Sequence, residues 1–174
     1  MRETTELLRQ LVAINSINPD LVVDGPGEGE IARFVAAWLA DAGLEIHLDE
    51  PEAGRPNVVG IARGSGGGHS LLLNAHMDTV GVALMERPHE PFIEGNRLYG
   101  RGAYDMKGGL AAIMIAATRA KRLSLRGDVI LTAVSDEEFA SIGTASIVKQ
   151  YRADAAIVTE PTELDVCVAH KGFA

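Results

Sequence analysis

The feature that most constrains the fold is the alternation of short apolar, β-type runs with longer segments of helical period. "TTELLRQLVAI" carries Leu7, Leu8, Leu11 and Val12 on one helical face. "EIARFVAAWLADAG" spaces Ile31, Phe34, Val35, Trp38 and Leu39 as a helix would, with Gly43 suited to the position just past its end. Three β-type runs follow, "LEIHL", "NVVGIA" and "SLLLNA", and the last two are joined by a hairpin-like glycine connection, "RGSGGGHS". Residues 80–102 read mostly as loop. "KGGLAAIMIAATRAKRL" predicts a largely buried helix whose basic end complements the helix dipole. "DVILTAV", the helix "GTASIVKQY" and the strands "AAIVT" and "LDVCVAH" complete the series. Strands alternating with helices predict a three-layer α/β domain. In such sheets ligands gather beyond the carboxyl ends of the strands, so the polar residues that end each run are the first candidates for function.

A chain of 174 residues, 47% hydrophobic and 23% charged, suits one domain with a sizeable core and argues against disorder. Its net charge of −8 disfavours nucleic acid and anionic membrane as partners, because both need basic patches. Cys167 is the only cysteine, which excludes an internal disulfide and a zinc–thiolate cluster. The first residues lack the apolar core of a signal peptide, and no stretch approaches a transmembrane length. The expectation is a soluble cytoplasmic protein.

Four strand ends or helix starts carry candidate chemistry. "LLLNAHMDTV" ends an apolar run with His76 and Asp78, two residues apart and so on the same side of a strand. A metal-ligating histidine usually has a carboxylate on its other ring nitrogen, although a lone pair of this kind is more often a core histidine with a hydrogen bond. "LYGRGAYDMKGG" places Asp105 just before the long helix, where the plain alternative is an N-cap. "SDEE" sets Asp136, Glu137 and Glu138 where "VILTAV" stops. The plain alternative there is an acidic turn opening the next helix. Glu160 in "IVTEPTE" follows another apolar run, and its alternative is a surface-loop carboxylate. Taken together, imidazole and carboxylate donors without thiolate suit zinc, cobalt or manganese acting as a hydrolytic Lewis acid. One histidine among several carboxylates suits two metals sharing a carboxylate better than one structural zinc.

The set "NAHMDTV", "LYGRGAYDMKGG", "VSDEE" and "TEPT", in this order and spacing, resembles the dinuclear zinc family of acetylornithine deacetylase, succinyl-diaminopimelate desuccinylase, aminoacylase and glutamate carboxypeptidase. The resemblance implies a mixed, mostly parallel central sheet in an α/β/α catalytic domain. It implies that His76 ligates the first metal with Asp78 orienting it, that Asp105 bridges both metals, and that Glu160 completes the first site and Glu138 ligates the second. Glu137 would be the general base, and the Asp105–Met106 peptide bond would be cis. Two Zn2+ ions are implied, with Co2+ or Mn2+ as substitutes. The expected substrate is an N-acyl amino acid, with a dipeptidase, a carboxypeptidase or a catalytically incomplete metal-binding fragment as alternatives.

Members of that family are about twice as long. Residues 1–174 are therefore expected to be the N-terminal part of the catalytic domain. The lid and dimerisation domain, and a C-terminal segment with a further histidine ligand, would lie outside them. By the same resemblance the full-length form would be a homodimer. His47, His69, His89 and His170 do not match the further ligand: solvent-exposed loop roles are expected for His69 and His89, and a structural one for His170.

Overall fold

The computed structural model describes residues 2–162 and Asp165. Its elements are α1 (Arg2–Ala13), α2 (Gly29–Asp41), β1 (Glu45–Glu52), β2 (Arg55–Ala62), β3 (Leu71–His76), β4 (Phe92–Glu94), β5 (Arg97–Tyr99), α3 (Lys107–Arg122), β6 (Val129–Val134), α4 (Ile142–Gln150) and β7 (Ala155–Val158). The expected strand "LDVCVAH", with Cys167 and His170, lies outside the described residues apart from Asp165.

Five strands form one sheet in the order β1-β2-β6-β3-β7. β2 runs antiparallel to both β1 and β6, while β6, β3 and β7 are mutually parallel. Four strands therefore share a direction, as expected for a mixed, mostly parallel sheet. The reversed strand lies inside the sheet, so the four pairings divide evenly between the two kinds. β6 is buried along its whole length, which explains why "VILTAV" is apolar without alternation: helices cover both of its faces. Leu131 points toward α1, α2 and α3, in a core with Leu11, Ile31, Leu39, Leu110 and Met114. Ile130 points the other way, toward Ile147 of α4. Each such side chain contributes about 1.5–3 kcal/mol on burial.

Two expectations are corrected. The glycine segment after β2 does not close a hairpin, because β6 lies between β2 and β3. Its glycines instead pack on the turn before β6, where a Cβ on Gly64 or Gly68 would fall within 2.7 Å of the Arg126–Gly127 backbone. Residues 80–102 are not all loop either. β4 and β5 form a short hairpin turning at Gly95, whose φ is 60°, and Phe92 stacks on Tyr99 with ring centroids 5.1 Å apart. A Gly-Asn turn between three-residue strands is a weak periodic signal, which is why sequence pattern alone passes over it.

Parallel register places the functional segments. His76 pairs with Val134 and Asn74 with Val158, so β3, β6 and β7 release their following residues at one edge of the sheet. Among the described residues no helix is long and apolar enough to cross a membrane.

Candidate metal centre

His76 is the last residue of β3 and is 1% exposed. Its Nδ1 donates to the main-chain carbonyl of Asp78 at 2.9 Å. Because a carbonyl can only accept, this bond fixes the ring and turns Nε2 outward. Nε2 lies 3.2 Å from Asp105 Oδ1, 3.6 Å from Glu160 Oε1 and 3.7 Å from Glu137 Oε2. Two sets of donors close enough to hold an ion share this histidine: His76 with Glu137 and Glu160, and His76 with Asp105 and Glu138. All five residues proposed as donors or base thus meet at the carboxyl edge of the sheet.

Asp105 reaches the pocket from the turn before α3. The peptide bond to Met106 is cis, as expected. Met106, not Asp105, occupies the N-cap position of α3, so the Asp105 carboxylate faces His76 instead of the helix amides. Just beyond, Lys107 is wholly buried and donates from Nζ to the carbonyls of Leu11 (3.0 Å) and Ile14 (2.8 Å). A cation at the C-terminal end of α1 satisfies carbonyls the helix leaves open. Burial pushes the Lys107 amine down to about 7.

Asp78 acts on two parts of the site. Its carboxylate is 3.5 Å from His76 Nδ1, farther than its own carbonyl. That carboxylate is taken up elsewhere: Oδ1 accepts from the Glu137 N–H at 3.0 Å, and Oδ2 from the Glu138 N–H at 3.1 Å and the Asn18 amide at 2.7 Å. It ties the end of β3 to the turn after β6.

The three carboxylates of "SDEE" divide. Asp136 is 1% exposed and turns inward with φ of 61°. Its Oδ2 accepts from the Ala140 and Ile142 N–H groups at the start of α4 (3.2 and 3.4 Å), so the helix-opening reading holds for this residue. Its Oδ1 accepts from Arg55 (3.1 Å) and Asn18 (3.0 Å). Glu137 and Glu138 instead face His76. Asn18, Glu28 and Arg55 carry no motif and were not among the candidates. The one signal is a charged residue, Arg55, opening a mostly apolar strand.

The electrostatics are those of crowded carboxylates. Burial by itself would lower the His76 pKa. The hydrogen bond that Nε2 makes to Asp105, with the nearby charges of Asp78 and Glu160, outweighs it and raises the ring to about 11. Glu160 is pushed up to about 7, first by burial and then by Asp105, Glu137 and Glu138, against the opposing pull of His76. Burial, with its acidic neighbours, also raises Glu138. Hydrogen bonding to His76 lowers Asp105. An imidazole nitrogen aimed into a group of mutually repelling oxygens is the donor set a hard or borderline divalent cation requires. The residues present therefore fit such an ion.

Of the remaining described histidines, His47 pairs with Glu45 on an exposed strand and His69 is exposed beside Asp154. His89 corrects the expectation of a solvent-exposed role: both its ring nitrogens are shielded from solvent.

The profile of peptidase family M20/M25/M40 matches residues 72–170, and the chain belongs to that family. It is 36% identical over 176 residues to a succinyl-diaminopimelate desuccinylase of Leptothrix cholodnii, covering 92% of this chain and 44% of that protein. It is also 36% identical over 176 residues to an acetylornithine deacetylase of Photorhabdus laumondii, covering 96% of this chain and 45% of that one. Among solved structures, an M20 family metallo-carboxypeptidase from Sulfolobus solfataricus superposes with a TM-score of 0.77 at 25% identity, over 91% of this chain and 37% of that chain. The chain spans less than half the length of the curated relatives named here.

Proposed function

We propose that this pocket serves hydrolysis of the amide bond of an N-acyl amino acid, with acetylornithine-like and succinyl-diaminopimelate-like molecules as first substrates. The observation that carries the reading is the convergence of His76 Nε2 with the carboxylates of Asp105, Glu137, Glu138 and Glu160 at one sheet edge. In this reading His76, Asp105 and Glu160 hold one divalent cation, and Asp105 and Glu138 hold a second. Zinc is the first choice and cobalt or manganese are substitutes. Bound there, the cations supply Lewis acidity, polarising a carbonyl oxygen and making water easier to deprotonate. Glu137 takes a proton from the attacking water and passes it to the leaving amine. Asp78 holds Glu137 and Glu138 by their amides and turns His76 by its carbonyl.

Residues 1–174 are read as the N-terminal part of the catalytic domain, a reading supported by relatives more than twice as long. The lid, a further histidine ligand and the dimer contact would belong to the rest of such a protein. A peptidase reading stands second, favoured by the likeness to the metallo-carboxypeptidase. A panel of N-acyl amino acids and dipeptides, assayed with the protein before and after chelation and again after restoring zinc or cobalt, separates the two. Amide cleavage that survives complete metal removal would overturn both.

A further inference from the structure

The pocket rests on a second cluster of charges, buried beneath it and containing none of its donors. Glu28 precedes α2, Arg55 opens β2, Asn18 lies in the loop after α1 and Asp136 follows β6; all four are at most 6% exposed. Arg55 grips Glu28 through two bonds, Nε to Oε2 at 2.7 Å and a terminal nitrogen to Oε1 at 2.8 Å. That terminal nitrogen also reaches Asp136 Oδ1 at 3.1 Å. Glu28 Oε1 accepts from the Asp136 N–H at 3.0 Å. The Asn18 amide is shared between Asp136 (3.0 Å) and Asp78 (2.7 Å).

Anchoring the fold would need only the Arg55–Glu28 pair. Arg55 also reaches Asp20 Oδ2 at 2.5 Å, and most of the remaining bonds converge on Asp136, which is held at its main-chain nitrogen and both carboxylate oxygens. Its left-handed backbone is uncommon for a residue other than glycine, and it sets the direction in which Glu137 and Glu138 leave β6. A planar guanidinium can grip Glu28 with two nitrogens and still reach Asp136, whereas an ammonium is a single point charge.

We propose that Arg55, with Glu28 as its counter-ion and Asn18 as its link to Asp78, is a positioning residue that aims Glu137 and Glu138 at His76. The inference rests on the metal reading of the pocket. Arg55→Lys separates charge from geometry. It keeps the buried positive charge but not the two-nitrogen grip, so the chain should still fold, with a lowered thermal midpoint. Cobalt(II) affinity should fall about 10- to 100-fold, as is typical when a ligand's supporting partner is lost. The visible spectrum of bound cobalt should change, and the Glu137 and Glu138 amides should exchange hydrogen faster in the metal-free chain. Asn18→Leu, which leaves the Arg55–Glu28 pair intact, should act in the same direction and decides the matter if the lysine variant does not fold. Unchanged cobalt affinity and unchanged amide exchange in a folded variant overturn the proposal. If the unsubstituted chain binds no cobalt, the metal reading fails, and the exchange of the two amides still decides whether Arg55 positions the turn.

Discussion

Asp78 Oδ1 lies 3.0 Å from the main-chain nitrogen of Glu137, across 59 residues of sequence. The bond joins the ends of two adjacent parallel strands, β3 and β6, at the one place where both deliver candidate chemistry. Asp78 is wholly buried, and its partners are two amides and the Asn18 side chain, which can only donate to it. Asp78→Asn would set an amide group against those donors. Leaving buried donors unsatisfied costs about 1–3 kcal/mol. Calorimetry should show a lowered melting temperature, and zinc titration a loss of affinity of about 10- to 100-fold. Wild-type zinc affinity in the variant would mean that the carboxylate does not position the turn.

Glu137 and Glu138 are adjacent, and both approach His76, so distance alone does not separate base from ligand. Substitution does. Glu137→Gln should lower amide hydrolysis about 100- to 10,000-fold while leaving metal content intact, the signature of a lost general base. Glu138→Gln should lower metal content first. Metal analysis of the two purified variants beside their rates is the check, and an exchange of the two patterns would reverse the roles.

The pocket's carboxylates should make metal affinity depend on pH. In the metal-free chain Glu160 sits at about 7, above its ordinary 4.5, so the folded chain binds more protons than the unfolded chain between those values. By linkage this contribution to stability falls as pH rises from about 4.5 to 7. Over that range the folded chain keeps the His76 proton, raised to about 11, and Lys107, near 7, titrates in both proteins and cancels in the comparison. The difference in melting temperature between the metal-free chain and Glu160→Gln should therefore shift in favour of the variant from pH 4.5 to 6.5. A cation must displace the His76 proton throughout, and the Glu160 proton below about 7, so zinc affinity should tighten from pH 5.5 to 7.5, and less steeply in Glu160→Gln. The same pH dependence with and without the substitution would show that Glu160 is not a ligand.

Much of this was legible in the sequence. Helical period located α1, α2 and α3, and the uninterrupted apolar run of β6 identified a strand covered on both faces. His76, Asp105, Glu137, Glu138 and Glu160 could be named because parallel strands deliver their following residues to one edge, and because their motifs carry a family resemblance. What sequence pattern could not supply was pairing. Arg55 meets Glu28 and Asp136 at separations of 27 and 81 residues, and no local periodicity encodes such partners. The same limit hid the division of "SDEE". Asp136 reads as one more acidic residue until Asn18 and Arg55 are brought beside it, and only then does it part from the two glutamates that follow. Strand order failed for a related reason. "RGSGGGHS" has the composition of a hairpin turn, but β6, which begins 59 residues after its end, inserts between the two strands it joins.

Lys107 is two residues from Asp105 and shows how the cis turn is held against the rest of the fold. Its ammonium is wholly buried, and its bonds go to the carbonyls of Leu11 and Ile14 at the end of α1. Lys107→Met keeps the length and apolar body of the side chain but removes the donor. Two opposing effects follow. The variant no longer buries an amine whose pKa burial has lowered to about 7, which favours it. It also leaves the two carbonyls without that partner, at about 1–3 kcal/mol for each group left wholly unsatisfied. Leu11 O still accepts from the Ile14 N–H at 3.3 Å, so the larger loss falls on Ile14 O. The two effects oppose each other, and pH separates them: the stability of Lys107→Met relative to the unsubstituted chain, read from urea unfolding with an unchanged slope, should improve from pH 8 to pH 6, because the unsubstituted chain must there keep a charged amine buried while its unfolded form keeps it in water. A stability difference that does not change between pH 8 and pH 6 would show that the Lys107 amine is not buried against the end of α1.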